Sequence, residues 1–167
     1  MKYQAMKGFT LIELVVVIVI LGILSVTAAP KFIDLKSDAH IASLKAMSGA
    51  ILSANEMVYS KAIINNVESQ EMVDGAELDD TYAGSTIIYG KMQSDEDTLK
   101  MFVPSLEQSD DWTLEKTNDV NMRIHPAGHP SIGDGPGNCF IQYSHQWSRI
   151  GGNITYPAKV AYYFDDC

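Results

Sequence analysis

Among the residues able to do chemistry, Glu13 stands apart by where it lies. It is the one charge in an apolar run covering residues 9–29, and from residue 14 to 24 the side chains are almost all Val, Ile and Leu. In a membrane this carboxylate would meet hydrocarbon, where an unpaired charge is unfavourable by about 3 kcal/mol or more. An acid placed there asks for a partner. The start of a helix supplies part of one through its unsatisfied N–H groups and dipole. A positive amine one helical turn away would supply the rest.

The other chemically able residues make weaker patterns. His125 and His129 are four apart, the spacing of two metal ligands on one helical face, but Pro126 and Pro130 follow them and Gly128 intervenes, so they are expected in a loop. Asp79, Asp80, Asp95, Glu96, Asp97, Asp110, Asp111, Asp165 and Asp166 form short acidic groups, none with the ligand spacing of a calcium loop, and read as solvated charge. Asn153-Ile154-Thr155 has the pattern of a glycosylation sequon and is read as strand chemistry. Trp112, Tyr143, Trp147, Tyr156, Tyr162 and Tyr163 could build a sugar-stacking surface but are also what a small β core uses. Phosphate-binding, hydrolase and zinc-protease motifs are missing from the sequence, so it gives no support to an enzyme, and no metal or cofactor is expected.

The elements that would position Glu13 follow from patterning. Residues 1–8 are short and polar with two lysines, which by the positive-inside bias places them in the cytoplasm. Residues 9–29 would make a helix of about 31 Å, long enough to cross a bilayer. A secretory signal peptide cut after Ala29 is the rival. Against it stand the length of the apolar stretch, Glu13 inside it, and Pro30 immediately after the cut. A plain anchor leaves Glu13 unexplained. Gly22 and Pro30 weaken the helix, Pro30 because it cannot donate to the carbonyl of Val26, and a kink is expected near it. From residue 31 the helix turns amphipathic, with Ile41, Leu44, Met47, Ile51, Ala54, Val58 and Ala62 on one face and Lys36, Asp38, Lys45, Glu56 and Lys61 between them, up to a stop at Asn65-Asn66.

Residues 67–85 are acidic and turn-rich and are expected to form a surface loop with at most one helical turn. Strands are expected at 86–92, 99–103, 112–116, 120–125, 139–144 and 159–164, with short links that favour antiparallel pairing. Residues 126–138 read as a long Gly/Pro loop. The fold class is α+β, a long helix laying its apolar stripe on an antiparallel sheet. The chain carries a formal charge of −9, and without residues 1–8 it keeps 10 basic against 21 acidic residues, a charge of −11 that argues against nucleic acid as a partner. Its two cysteines, Cys139 and Cys167, sit behind an export segment and read as a disulfide that would stabilise by about 3–4 kcal/mol through loop-closure entropy and tie down the C-terminus.

The run Lys7-Gly8-Phe9-Thr10-Leu11-Ile12-Glu13 at the head of an apolar span resembles the cleavage motif of type IV prepilins and of the related pseudopilins of type II secretion. The resemblance implies a leader of residues 1–8, a transmembrane and filament-core helix over 9–30, and a pilin head over 31–167, in which helix 31–64, loop 65–85 and a sheet with a C-terminal disulfide loop follow one another. It further implies that a prepilin peptidase cuts between Gly8 and Phe9 and methylates the Phe9 nitrogen. Glu13 would pair with the Phe9 amine of a neighbouring copy, the stretch from Gly22 to Pro30 would lose helical structure in the filament, and the Cys139–Cys167 loop would lie exposed on it, carrying Trp147, Arg149, Tyr156 and Asp165. The partners implied are further copies of the chain, the peptidase, the pilus assembly machinery, the inner membrane before assembly, and a surface carbohydrate or host receptor. The location implied is the inner membrane of the precursor and then an extracellular pilus. Residues 7–32 and 55–62 look most like mannose-sensitive haemagglutinin-type pilins of the class IVa group. Two alternatives remain on the sequence, a type II secretion pseudopilin and a monomeric membrane-anchored binding domain of the periplasm.

Overall fold

The computed structural model describes residues 8–107, 110–128, 138–145, 148–150, 153–155, 158–165 and 167. It falls into two compact units, the first ending at Ala39 and the second running His40–Cys167. Helix α1 spans Leu11–Ile64 and belongs to both. It starts two residues after Phe9 and stops where the two asparagines require. Asn66 takes the left-handed conformation at φ 57°, Val67 N–H donates to Ala62 O at 2.9 Å and Asn66 N–H to Ile63 O at 3.1 Å. This pair of bonds closes the helix end, and asparagine is second only to glycine in tolerating the backbone it needs.

In the second unit the expected stripe is the buried face of α1: Leu44, Met47, Ile51, Ala54, Val58 and Ala62 are all at most 8% exposed. They join one core with Ile87, Met92, Leu99, Phe102, Met122, Ile124, Ile141 and Tyr143. The sheet that supplies the last four is antiparallel, in the order β4 (Trp112–Asn118), β5 (Asn121–Pro126), β6 (Phe140–His145), β9 (Ala158–Tyr163). Its register opposes Ile124 to Ile141 and Met122 to Tyr143, so one face carries the large apolar side chains to the helix. Two smaller pairings complete the fold. β1 (Val73–Asp74), β2 (Thr86–Ile88) and β3 (Lys91–Met92) form one sheet, and β7 (Ser148–Ile150) pairs with β8 (Asn153–Thr155). The architecture is α+β, as the patterning requires.

Three expectations are corrected. Residues 99–103 are not a strand: α2 covers Glu96–Phe102. The Asp95 carboxylate accepts from Thr98 N–H at 2.9 Å, Glu96 and Asp97 occupy the first turn, and Lys100 reaches Glu96 at 2.6 Å, while Leu99 and Phe102 share the buried side. Residues 86–92 are two strands rather than one, because Tyr89 and Gly90 both take positive φ (48° and 72°) and turn the chain in a two-residue hairpin. Residues 67–85 hold β1 and two 3-10 turns, Gly75–Glu77 and Asp80–Tyr82, each started by an aspartate: Asp74 accepts from Ala76 N–H at 2.8 Å and Asp79 from Thr81 N–H at 3.1 Å.

Some of the polar groups buried between helix and sheet are paired with one another. Tyr143 donates to Met92 O at 2.6 Å, Asn55 donates its amide to the Tyr143 oxygen at 3.1 Å, and its own oxygen accepts Met92 N–H at 3.0 Å. Burial pushes the Tyr143 phenol above its ordinary range, so it stays a neutral donor. A further bond of 2.7 Å joins Ser48 of α1 to Tyr162 of β9. Cys139 and Cys167 form a disulfide with a Cα separation of 4.7 Å, closing the end of the chain onto the start of β6.

Candidate processing and assembly site

Gly8, Phe9 and Thr10 precede the helix in irregular backbone and are exposed, Phe9 at 85%. The Gly8–Phe9 bond therefore lies in open, non-helical chain, the state in which a protease can take a peptide into its own cleft. Thr10 is the first helix-capping residue. Its N–H and its hydroxyl both donate to Glu13 Oε2, each at 2.8 Å, and Glu13 N–H donates back to the Thr10 hydroxyl at 3.3 Å. This is a capping box, Thr-x-x-Glu, in which side chains satisfy donors that the helix start would leave open. The partner of Glu13 within the chain is thus Thr10 and not the Phe9 nitrogen, which in this uncut chain is an ordinary amide. The signal for it, a threonine three residues before the glutamate, stands in the sequence. Both Thr10 bonds go to Oε2, and among the described residues Oε1 is left open to another donor.

Phe9, Ile12, Glu13, Val16 and Val17 line a shallow open recess of about 360 Å³. One carboxylate set among four apolar side chains suits a cation carried on an apolar group. Beyond it, Leu11–Ala29 forms 19 residues of helix with a mean hydropathy of 2.8, and none of it is buried within the molecule. The helix is long and apolar enough to cross a membrane. The backbone stays helical through Gly22 and Pro30. Between them the hydroxyls of Ser25 and Thr27 bond the carbonyls of Leu21 and Leu24 at 2.7 and 2.9 Å, the back-bonding by which Ser and Thr are accommodated in helices.

A sequence profile for the prokaryotic N-terminal methylation motif matches residues 4–29. The type IV narrow pilus major component PilA5 of Thermus thermophilus is 54% identical over 48 residues, which cover 29% of this chain. Both matches support a type IV pilin. The chain spans 41% of the length of that relative, so the likeness of the two proteins is a likeness of part of each. No solved structure matches. The apolar helix followed by an antiparallel sheet and the Cys139–Cys167 bridge are consistent with the pilin fold.

The remaining sequence candidates are distributed rather than gathered. His125 is not in a loop: it lies in β5 and is 5% exposed, and His129 lies outside the described residues. Among the described residues no three metal-ligating side chains cluster. Asp74, Asp79 and Asp95 are capping residues rather than free charge, and the Thr81 N–H followed by the Lys61 ammonium holds Asp79 down to about 2. Of the aromatic set, Tyr143 is in the core, Tyr162 bonds Ser48, and Tyr163 stacks on Phe140 at 4.4 Å, while Trp147 and Tyr156, like Asp166 of the acidic groups, lie outside the described residues. Tyr162 and Tyr163 are both exposed, at 49% and 38%, and lie on opposite faces of β9, so they do not form one stacking surface.

Proposed function

We propose that the chain is the precursor of a structural subunit of an extracellular type IV pilus. Residues 1–8 are the leader, residues 9–30 the membrane anchor and later the filament core, and residues 31–167 the head. Hydrolysis of the Gly8–Phe9 bond adds water across it, leaving a carboxylate on Gly8 and an ammonium on Phe9, and the same peptidase then replaces one proton of that nitrogen by a methyl group taken from a separate methyl donor. Cleavage thus turns an uncharged amide into a cation at the mouth of the recess. Glu13 keeps its two bonds from Thr10 through Oε2 and accepts the Phe9 ammonium of a neighbouring copy through Oε1, an exchange that leaves neither charge alone in hydrocarbon.

The observation that carries this reading is the single carboxylate, capped by Thr10, in an otherwise apolar recess directly after an exposed Gly-Phe bond. Assembly of many copies, rather than catalysis, is the activity, as the pilin likeness suggests. Loss of helix between Gly22 and Pro30 during assembly fits the missing donor at Pro30, since Val26 O has no N–H to receive from that residue. The finer likeness of residues 7–32 and 55–62 to mannose-sensitive haemagglutinin-type pilins supports adhesion as the service of the filament, through a carbohydrate or host receptor touched by the head.

Shearing the surface of cells that express the chain, with electron microscopy and mass identification of the filament subunit, tests the reading. Long filaments built from this chain are expected, and replacing Glu13 by alanine is expected to leave the chain exported and cut while filaments disappear. A chain found only in short periplasmic assemblies would assign it to type II secretion instead, and normal filaments from Glu13→Ala would show the carboxylate to be dispensable.

A further inference from the structure

Tyr143 and His145 are successive inward-facing residues of β6, and each grips the segment that joins β3 to α2. Tyr143 bonds Met92 O, and two residues further along both strands of this contact His145 meets Ser94. Its Nδ1 lies 2.9 Å from Ser94 N and 2.7 Å from Ser94 Oγ. Both residues are buried, His145 at 8% and Ser94 at 0% exposure. A backbone N–H can only donate, so Nδ1 must accept, and the ring is neutral with its proton on Nε2. A proton on Nδ1 would face the Ser94 N–H donor to donor and leave that buried amide without a partner.

The next residue offers the charged ring somewhere else to go. Asp95 caps α2 through Oδ1, while its buried Oδ2 has no hydrogen-bond partner among the described residues, and its charge acts on the imidazole. We propose that His145 is an acid-operated clasp: the neutral ring holds Ser94, and with it the start of α2, against the sheet, and the protonated ring lets Ser94 go and turns to Oδ2 of Asp95. The clasp has two discrete arrangements, one for each protonation state.

The surrounding groups set its direction. Burial disfavours the charged ring most, Asp95 opposes that, and Lys116 of β4 adds to it. Lys116 is itself paired with Asp119 at 3.3 Å. From the turn before β5, Val120 O accepts the His145 N–H at 3.2 Å. On β9, Ala158 stands opposite His145, while Lys159 stands opposite Ser144 and so on the other face. On α2, Glu96 is tied to Lys100 and Asp97 is exposed. The net effect lowers the His145 pKa from 6.5, so the unfolded chain binds more protons once the pH falls below that value. The stability that the neutral ring contributes is present above pH 6.5 and is lost as the pH drops through the lowered value.

The test uses the full chain in detergent micelles. Long-range proton–nitrogen spectra at pH 7.5 are expected to show the Nε2–H tautomer of His145. Amide exchange, corrected for the intrinsic rate, is expected to show at least a tenfold loss of protection at Ser94 and Thr98 on going from pH 7.5 to 5.0, with the β5–β6 ladder unchanged. His145→Asn presents an uncharged acceptor near the Nδ1 position, so it is expected to keep the protection and lose its pH dependence. The Nδ1–H tautomer, pH-independent protection of Ser94, or an unaltered pH dependence in His145→Asn would overturn the clasp. The tautomer and the exchange are read on the unaltered chain, so they decide the matter even where the variant does not fold.

Discussion

The two ends of α1 obey different rules. Over Leu11–Ala29 every side of the helix is apolar and none of it is buried within the molecule. Over residues 44–62 the stripe of Leu44, Met47, Ile51, Ala54, Val58 and Ala62 recurs every three or four positions and is at most 8% exposed, with Lys45 and Glu56 on the outside. The first pattern is that of a helix made to be surrounded by hydrocarbon, the second that of a helix with one apolar neighbour and one aqueous side. A single continuous element thus carries two patterns, and the placement of charge tells them apart. In the head, charge lies outside the buried stripe and is met by charge from the rest of the head, Lys61 by Asp79 and Glu56 by Lys91, each at 3.1 Å. In the apolar end one acid is allowed, and it comes with a threonine that satisfies it.

Substitutions that treat the two ends alike should give opposite results. The largest effect is expected from Ile51→Ala, which removes a fully buried side chain from the core and should destabilise the head by about 2–5 kcal/mol, whereas Ile18→Ala should leave the melting of the head unchanged. Denaturant or thermal unfolding of the full chain in detergent reads both, and an equal loss from the two would erase the distinction. Next in size is the bridge. Cys139→Ser should cost about 3–4 kcal/mol of head stability, read as a lower unfolding midpoint that reducing agent reproduces in the unaltered chain. The smallest effect belongs to the cap of α2: Asp95→Ala should cost about 1 kcal/mol and show first as faster amide exchange at Thr98.

Much of this was legible in the sequence because it is periodic or local. The stripe on α1, the stop at Asn65-Asn66, four strands of the main sheet and the cysteine pair all follow from spacing or count. The helix at Glu96–Phe102 was hidden because Leu99 to Val103 has strand-like composition, and the aspartate three residues ahead of Thr98 decides in favour of a helix by capping it. Thr10 was hidden differently. The glutamate draws attention to a distant amine, while the nearest donors are three residues away in the same turn. Contacts such as Asn55 with Tyr143 or Ser94 with His145 join residues 88 and 51 positions apart, and no local pattern announces them. Only the packing of β6 against α1 and the end of β3 brings them together.

The account rests on the amino end, and the mass of the mature chain tests it most directly. Chain recovered from filaments or membranes of a cell with an intact prepilin peptidase should begin at Phe9 and, once its disulfide is reduced, weigh one CH2 more than residues 9–167 alone. A chain that keeps residues 1–8, or that begins at Pro30, would contradict it.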